Sequence, residues 1–240
     1  MHQPRGTTRH APAQHPRRMS ARIHFVRHAE TLFNVNGMLQ GWCDAPLTER
    51  GEGQVAALGE RLRDVPLAAA FMSDLTRTRT TMAGALAGHP HLVPTLLRDL
   101  REWHFGGWEG QPNASLWNPV FADHDATYAP GTFATITANG FDSVIDAIHR
   151  NDPSGRADSA ADVRTRVDAA LETVVAAAEL AALEDTGDVL VVTHGSVLGS
   201  ILHTLVPATR PRTGFPNCGI VTVTWTEGQA IAGEIDASCA

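Results

Sequence analysis

Two histidines of this 240-residue chain lie at the ends of predicted β-strands, where α/β proteins often place their functional residues. Each comes at the end of an apolar run typical of a buried strand: His28 after residues 23–26 and His194 after residues 188–192. In open α/β sheets, ligands bind beside the carboxyl ends of the strands. A neutral imidazole is a competent nucleophile near pH 7. Gly195 opens a predicted helix, and the unpaired N–H groups of a helix start favour an anion. These residues therefore indicate a site for an anionic substrate.

The basic residues exclude reactions that depend on lysine, because all 19 of them are arginine and the chain has no lysine. This composition excludes a Schiff base, attachment of pyridoxal phosphate and a P-loop lysine. Arginine binds phosphate through a bidentate fork, so a phosphate site remains open. A GC-rich genome that favours arginine codons would give the same composition, and the exclusion of lysine chemistry holds either way.

Charge, hydropathy and cysteine content exclude other classes of protein. A formal net charge of -7 disfavours non-specific nucleic-acid binding, which needs a basic surface. No apolar stretch approaches the roughly 20 residues that span a bilayer. The three cysteines, Cys43, Cys218 and Cys239, lie far apart, which argues against a disulfide framework or a zinc ribbon. We expect a cytoplasmic protein.

The predicted elements alternate between strands and helices, which indicates an α/β fold. We expect a three-layer sandwich with a mainly parallel central sheet between helices. Amphipathic spacing and cap residues mark the helices, and short apolar runs mark the strands. The predicted strands are 23–26, 68–72, 91–97, 188–192 and a terminal hairpin of 220–225 and 230–235 with its turn at 227–228; the predicted helices are 47–62, 75–86, 160–183 and 195–206.

The chain divides into a tail, a domain and an insertion. Residues 1–20 are rich in Pro, Arg and His, contain no acid, and predict a disordered basic tail or a mis-assigned start with Met19 as the true initiator. Residues 21–240 form the predicted domain. Between 103 and 156 the alternation breaks into Pro, Gly and short amphipathic pieces, so we expect a cap segment inserted there, covering one edge of the sheet and lying over the anion site.

The segment from Arg27 to Asn34 reads Arg-His-Ala-Glu-Thr-x-x-Asn and resembles the signature of the histidine phosphatase superfamily, which includes phosphatases and cofactor-dependent phosphoglycerate mutases. The family pattern has Gly where this chain has Ala29. A later stretch departs from the pattern too, since Ala157 and Asp158 replace Gly and Glu. Further segments that match in family order are 39–41, 44–48, 73–78, 100–110, 158–166 and 193–195, with Asn217 last.

The resemblance implies a role for each matched residue. His28 would be the nucleophile that becomes a phosphohistidine, and Glu102 would protonate the leaving oxygen and then deprotonate the attacking water. Phosphoryl transfer needs an in-line nucleophile, charge neutralisation and such a proton, here without metal or cofactor. The other implied residues are Arg27, Arg77 and a catalytic His194 on the phosphoryl oxygens, Asn34 and the Gly195 N–H as neutral donors, and Thr31, Gln40 and Gly41 at the substrate rim.

Several alternatives stay open at this point. Glu102 could pair with Arg98 or Arg101 instead of acting as the acid, and Glu109 is a second candidate for that role. A zinc hydrolase built from the two strand-end histidines and a carboxylate is geometrically conceivable. A serine hydrolase is not favoured, because the serine of residues 195–199 stands one place early for the G-x-S-x-G elbow.

The sequence favours hydrolysis over the mutase reaction. Residues 103–149 contain no arginine but several carboxylates, whereas a phosphoglycerate mutase needs extra cations for a carboxylate and a second phosphate. We expect a metal-independent phosphatase for a small phosphate monoester with a neutral or apolar remainder. The alternatives are a phosphoglycerate mutase and a non-catalytic phosphate-binding relative, whose usual mark would be loss of His28, Arg77 or Glu102. We expect no nucleic-acid or membrane partner and leave a homodimer open.

Overall fold

The computed structural model describes residues 20–138, 140–207, 213–226 and 228–240. Two short 3-10 turns, at Arg98–Leu100 and Gly106–Trp108, precede the cap helices. The strands are β1 (Ser20–Arg27), β2 (Leu67–Met72), β3 (Thr95–Leu96), β4 (Asp188–Thr193), β5 (Ile220–Thr226) and β6 (Gln229–Asp236); the helices are α1 (Leu32–Val35), α2 (Glu49–Leu62), α3 (Thr76–Ala85), α4 (Asn113–Ala122), α5 (Phe133–Ile136), α6 (Asp142–Asn151), α7 (Ala160–Glu184) and α8 (Gly195–Leu205).

The described strands form one sheet in the order β3-β2-β4-β1-β5-β6. The first four run parallel, and β5 and β6 pair antiparallel at the other side. The predicted α/β fold with a mainly parallel sheet is therefore confirmed. Because β1 and β4 are parallel neighbours with Arg27 opposite Thr193, the residues that follow them, His28 and His194, come side by side.

Helices cover both faces of the sheet, and β4 shows why. All of its residues are buried, as expected for a central parallel strand. Val189 and Val191 point into one core with residues of α6, α7 and α8. Leu190 and Val192 point into the other with residues of α2 and α3. Because successive side chains of a strand point to opposite faces of the sheet, β4 contributes apolar residues to the cores on both sides.

Helices α2 and α7 each begin directly after a residue whose side chain accepts a hydrogen bond from a first-turn N–H group. Thr48 caps α2 by accepting from the Gly51 N–H at 2.9 Å, as its position in the sequence predicted. Ser159 and Asp162 form a reciprocal capping box at the start of α7. None of the helices in the described parts of the chain combines the length and apolar character of a membrane span.

The prediction of a strand over 91–97 was wrong in extent, since only Thr95–Leu96 pair with β2. Leu92 closes a turn on His89, and Pro94 has no N–H to give to a sheet ladder. At the other end of the chain, Ser20 already belongs to β1, one residue before the predicted domain start. The rest of the predicted tail, 1–19, lies outside the described residues, as does Glu227 of the predicted hairpin turn.

The predicted cap insertion folds as 3-10 and α-helical pieces. Buried residues of α4 and α6 join the same apolar core as α7 and the sheet. Asp152 ties the end of the segment to its beginning, because its carboxylate accepts from the N–H groups of Gly107 and Ala157 at 2.8 Å each. Burial raises the pKa of Asp152, but the hydrogen bonds from the N–H groups of Ser154, Gly107 and Ala157 outweigh it and hold the pKa far below its ordinary value.

Candidate active site

A cavity of about 490 Å³ lies at the carboxyl ends of β1 and β4. It brings together five of the residues predicted from the sequence. The cap segment also reaches it, through Phe105, Asn113 and Trp117. The described residues that line the cavity are Arg27, His28, Glu30, Asn34, Val35, Met38, Leu39, Gln40, Glu102, Phe105, Asn113, Trp117, Ser196 and Asn217.

The hydrogen bonds of His28 fix which of its ring nitrogens can act as a nucleophile. Nδ1 lies 2.8 Å from the carbonyl oxygen of Ala29. A carbonyl only accepts, so Nδ1 carries the proton and Nε2 keeps its lone pair. Burial, followed by the charges of Arg77 and Arg27, holds the pKa of His28 well below the usual 6.5. The imidazole is therefore neutral and nucleophilic at pH 7.

His194 is held in the opposite tautomer. The Nε–H of Arg77 donates to its Nδ1 at 3.2 Å, and arginine is always a donor. The proton of His194 thus lies on Nε2, which is buried and has no partner among the described residues. The rings of His28 and His194 are 5.3 Å apart. Burial and the nearby Arg77 lower the pKa of His194 well below 6.5 as well, so it is a neutral donor beside His28.

We expect both imidazoles to stay neutral at pH 6, where an ordinary exposed histidine with a pKa of about 6.5 is mostly charged. Nitrogen NMR of the histidine-labelled protein should show His28 protonated on Nδ1 and His194 protonated on Nε2, with neither ring gaining a second proton between pH 8 and 6. The variants His28→Asn and His194→Asn assign the signals. A doubly protonated His28 at pH 6 would contradict the proposed electrostatics.

Arg77 is 1% exposed, and all five of its N–H groups donate hydrogen bonds. Besides His194, its guanidinium donates to the Asp44 carboxylate at 2.8 Å and to the carbonyl oxygens of Cys43 and Gly41 at 2.8 and 2.7 Å. The longest of its bonds, 3.4 Å, goes to the Gln40 carbonyl oxygen. A direct bond from Arg77 to a phosphate would therefore replace one of these, and the 3.4 Å bond is the weakest.

Three buried donors at the site lack a partner among the described residues: Arg27 Nε, Gln40 Nε2 and His194 Nε2. Each is otherwise held in place. The NH1 group of Arg27 donates to the Phe215 carbonyl oxygen at 2.6 Å, and the Gln40 Oε1 accepts from Thr31 Oγ1 at 2.7 Å. Buried N–H groups without an acceptor cost about 1–3 kcal/mol each, so such a cluster is expected where a ligand supplies the acceptors.

Thr31 and Asn34 support the loop after β1. Thr31 caps the short α1, and its N–H donates to the Asn34 Oδ1 at 3.2 Å. That oxygen also accepts from the Nδ2 of Asn217 at 3.1 Å, while the same amide donates to the His28 carbonyl oxygen at 2.9 Å. Asn217 therefore binds the loop after β1 to the segment before β5. The sequence motif included it, but its role there was not predicted.

Glu102 lies at the start of α8. Its carboxylate accepts from the N–H groups of Ser196 and Val197 at 2.9 Å each and of Trp103 at 3.0 Å. The N-cap residue of α8, His194, makes no side-chain cap, so Glu102 satisfies the helix start in its place. The alternative pairing with Arg101 is not adopted, because that guanidinium binds Asp74 at 2.6 and 2.7 Å.

Glu109, the other candidate acid, is occupied by backbone donors. Its carboxylate accepts from the N–H groups of Gly41, Trp42, Cys43 and Phe105 at 2.8–3.1 Å. These bonds hold the loop whose carbonyl oxygens bind Arg77. Glu109 does not line the cavity, whereas Glu102 does, so Glu109 suits an anchor rather than a proton donor.

A smaller chamber of about 170 Å³ adjoins the site. It shares Arg27, Glu102 and Ser196 with the larger cavity but not His28. Nothing in the sequence patterns indicated it, since its rings come from separate parts of the chain. Its other described lining residues are Phe133, Phe141, Gly195, Thr213, Gly214 and Phe215.

Comparison with known protein families matches residues 23–132 and 131–235 to the histidine phosphatase superfamily (branch 1). The chain belongs to this family, as the sequence motifs indicated. The α/β sheet and the histidine pair at the ends of β1 and β4 agree with that membership.

Relatives of this chain carry both phosphatase and mutase names. The chain is 40% identical over 98 residues to the adenosylcobalamin/alpha-ribazole phosphatase of Salmonella typhimurium, covering 40% of this chain and just under half, 46%, of that protein. It is 30% identical over 210 residues to the probable phosphoglycerate mutase GpmB of Erwinia tasmaniensis, covering 84% and 83%. The phosphoglycerate mutase structure from Bacillus anthracis aligns with a TM-score of 0.79 and 27% identity, over 90% and 93% of the two chains.

Proposed function

We propose that this protein hydrolyses a small organic phosphate monoester through a phosphohistidine on His28. The observation that carries this proposal is the arrangement around the two rings. The His28 Nε2 has a lone pair, and three buried donors at the site, on Arg27, Gln40 and His194, have no partner among the described residues. A nucleophile among unsatisfied donors suits a tetrahedral anion that is attacked at its centre.

In the first proposed step the His28 Nε2 attacks phosphorus in line with the leaving oxygen. The N–P bond forms, the P–O bond breaks, and Glu102 gives its proton to the departing alkoxide. In the second step Glu102 takes a proton from water, which attacks phosphorus, and the N–P bond breaks to restore His28.

The charge of the cavity supports hydrolysis of a monophosphate over the mutase reaction. Of the described lining residues only Arg27 is an arginine, and Glu30 and Glu102 add negative charge. A second phosphate or a carboxylate on the substrate would therefore find no second arginine among the described lining residues. The cap contributes Phe105, Trp117 and Asn113 instead, which suit an apolar or neutral remainder.

The smaller chamber, called here the phenylalanine-lined chamber because Phe133, Phe141 and Phe215 line it, is a candidate site for the leaving group of the substrate. In-line transfer places the leaving group opposite His28, on the side of its proton donor Glu102. The small chamber is lined by Glu102 and not by His28, so we propose it as the place of the leaving group. Phe133, Phe141 and Phe215 can bury an apolar leaving group there, at about 25 cal/mol per Å² removed from water.

A panel of phosphate monoesters, assayed by phosphate release, tests the proposed activity. We expect kcat/KM to be highest for apolar or aryl monophosphates. For 3-phosphoglycerate and bisphosphates we expect kcat/KM to be lower by at least about 10-fold, which corresponds to roughly 1.4 kcal/mol less transition-state stabilisation. Clear preference for a bisphosphate, or net conversion between 2- and 3-phosphoglycerate without phosphate release, would favour the mutase alternative.

We further expect turnover to be independent of added metal, because the charge of the arginines and the neutral N–H groups of histidine and backbone stabilise the phosphoryl oxygens, as a metal does in other phosphatases. Treatment with a chelator should leave kcat/KM within about two-fold. Loss of activity that returns on addition of Zn²⁺ or Mg²⁺ would instead support the metallohydrolase alternative.

A further inference from the structure

Arg166 of α7 lies beneath the loop that carries Glu102, with only 11% of its side chain exposed. Its NH1 donates to the carbonyl oxygens of Asp99 at 3.2 Å and Arg101 at 2.5 Å. Its NH2 donates to the Glu102 carbonyl oxygen at 3.1 Å and to the Asp158 carboxylate at 2.9 Å. One guanidinium thus binds three carbonyl oxygens within four residues.

Two other side chains complete this contact. The hydroxyl of Thr193, the last residue of β4, donates to the Leu100 carbonyl oxygen at 2.8 Å. The indole Nε1 of Trp42 donates to the Glu102 carbonyl oxygen at 2.9 Å. All four carbonyl groups from 99 to 102 therefore accept a side-chain donor, in a segment that pairs with no strand.

From these contacts we infer that Arg166 is a positioning residue for the proposed general acid Glu102, an inference that rests on the proposed function. The backbone of Glu102 is fixed from below by Arg166, and its carboxylate is fixed above by the N–H groups of Ser196 and Val197. Arg166 lines neither chamber of the site, so it acts through Glu102 and not on the substrate.

The ion pair with Asp158 orients the guanidinium. The same Asp158 oxygen accepts from the His104 N–H at 3.1 Å, so it also joins the segment after Glu102 to the start of α7. Proton transfer depends steeply on distance, and a shift of about 1 Å at a catalytic group can cost about 10²-fold in rate. A loosened loop should therefore slow those reactions that need the proton of Glu102.

The test compares Arg166→Met with Arg164→Met, which removes an exposed arginine of the same helix that pairs with Asp142. For an alkyl phosphate, we expect Arg166→Met to lower kcat about 10- to 100-fold with little change in KM. For 2,4-dinitrophenyl phosphate, whose leaving group needs no proton, we expect a loss of about three-fold or less. Arg164→Met should match the wild type with both substrates.

A double-mutant cycle separates positioning from a general loss of structure. In the background of Glu102→Gln, Arg166→Met should cost the alkyl substrate about three-fold or less, because its effect passes through a carboxyl group that is already gone. Equal losses with both substrates, or a full loss in the Glu102→Gln background, would overturn the inference. If Glu102→Gln itself changes nothing, the proposed function fails instead. Should Arg166→Met not fold, Asp158→Asn takes its place in the same cycle with the same expectations.

Discussion

His28→Ala should abolish hydrolysis, with kcat reduced on the order of 10⁴-fold or more, as expected when a covalent nucleophile is removed. The wild-type protein should carry a phosphoryl group after a rapid quench with substrate, and the group should be labile in acid and stable in base. The reason is the fixed tautomer of the ring. Its Nδ1 proton is held by the Ala29 carbonyl oxygen, which leaves only Nε2 to form the N–P bond.

The matched control is His91→Ala, which removes an exposed histidine outside the site. That variant should retain both the turnover and the phosphoenzyme of the wild type. Circular dichroism and thermal unfolding should show that His28→Ala is folded. Full activity in the folded His28→Ala protein would exclude the phosphohistidine mechanism, and a base-labile phosphoenzyme would indicate an acyl phosphate on a carboxylate instead.

Glu102→Gln and Arg77→Ala should respond differently to the leaving group. Removing a general acid costs about 10²- to 10⁴-fold in rate, and we expect this loss for alkyl phosphates that depart as poor leaving groups. With nitrophenyl phosphates the loss should shrink towards unity. Glutamine keeps the size of the side chain, and its single oxygen can still accept from the Val197 N–H, whereas the bond from the Ser196 N–H to the other oxygen is lost.

Arg77→Ala should slow every phosphate ester by a similar factor, since it removes a charge and the bond that sets the His194 tautomer. Neither effect depends on which alcohol departs. Arg79→Ala, on the exposed face of the same helix, is the matched control and should behave like the wild type. Because Arg77 is buried with five donors engaged, Arg77→Gln serves if the alanine variant does not fold. Equal dependence of the Glu102 and Arg77 variants on leaving-group pKa would contradict these assignments.

The elements around the site could be predicted from the sequence because their signals are local. Thr48 before an amphipathic stretch marks the start of α2, and the apolar run 188–192 reads as a buried strand without any tertiary information. The same holds for the histidines that end β1 and β4. The prediction of a strand over 91–97 was wrong in extent, because Pro94 has no N–H for the sheet and β3 is limited to two residues.

The chemistry of the site was decided by contacts between distant parts of the chain, which no local pattern encodes. The sequence left Glu102 and Glu109 as rival acids. Only the fold binds Glu109 to four backbone N–H groups and sets Glu102 at the start of α8. The sequence also implied a phosphate arginine at Arg77, but the fold engages all its donors, one of them on His194, which is 117 residues away. Residue types and order determined the family, whereas tautomers, hydrogen-bond partners and the phenylalanine-lined chamber depend on how the strands and the cap pack together.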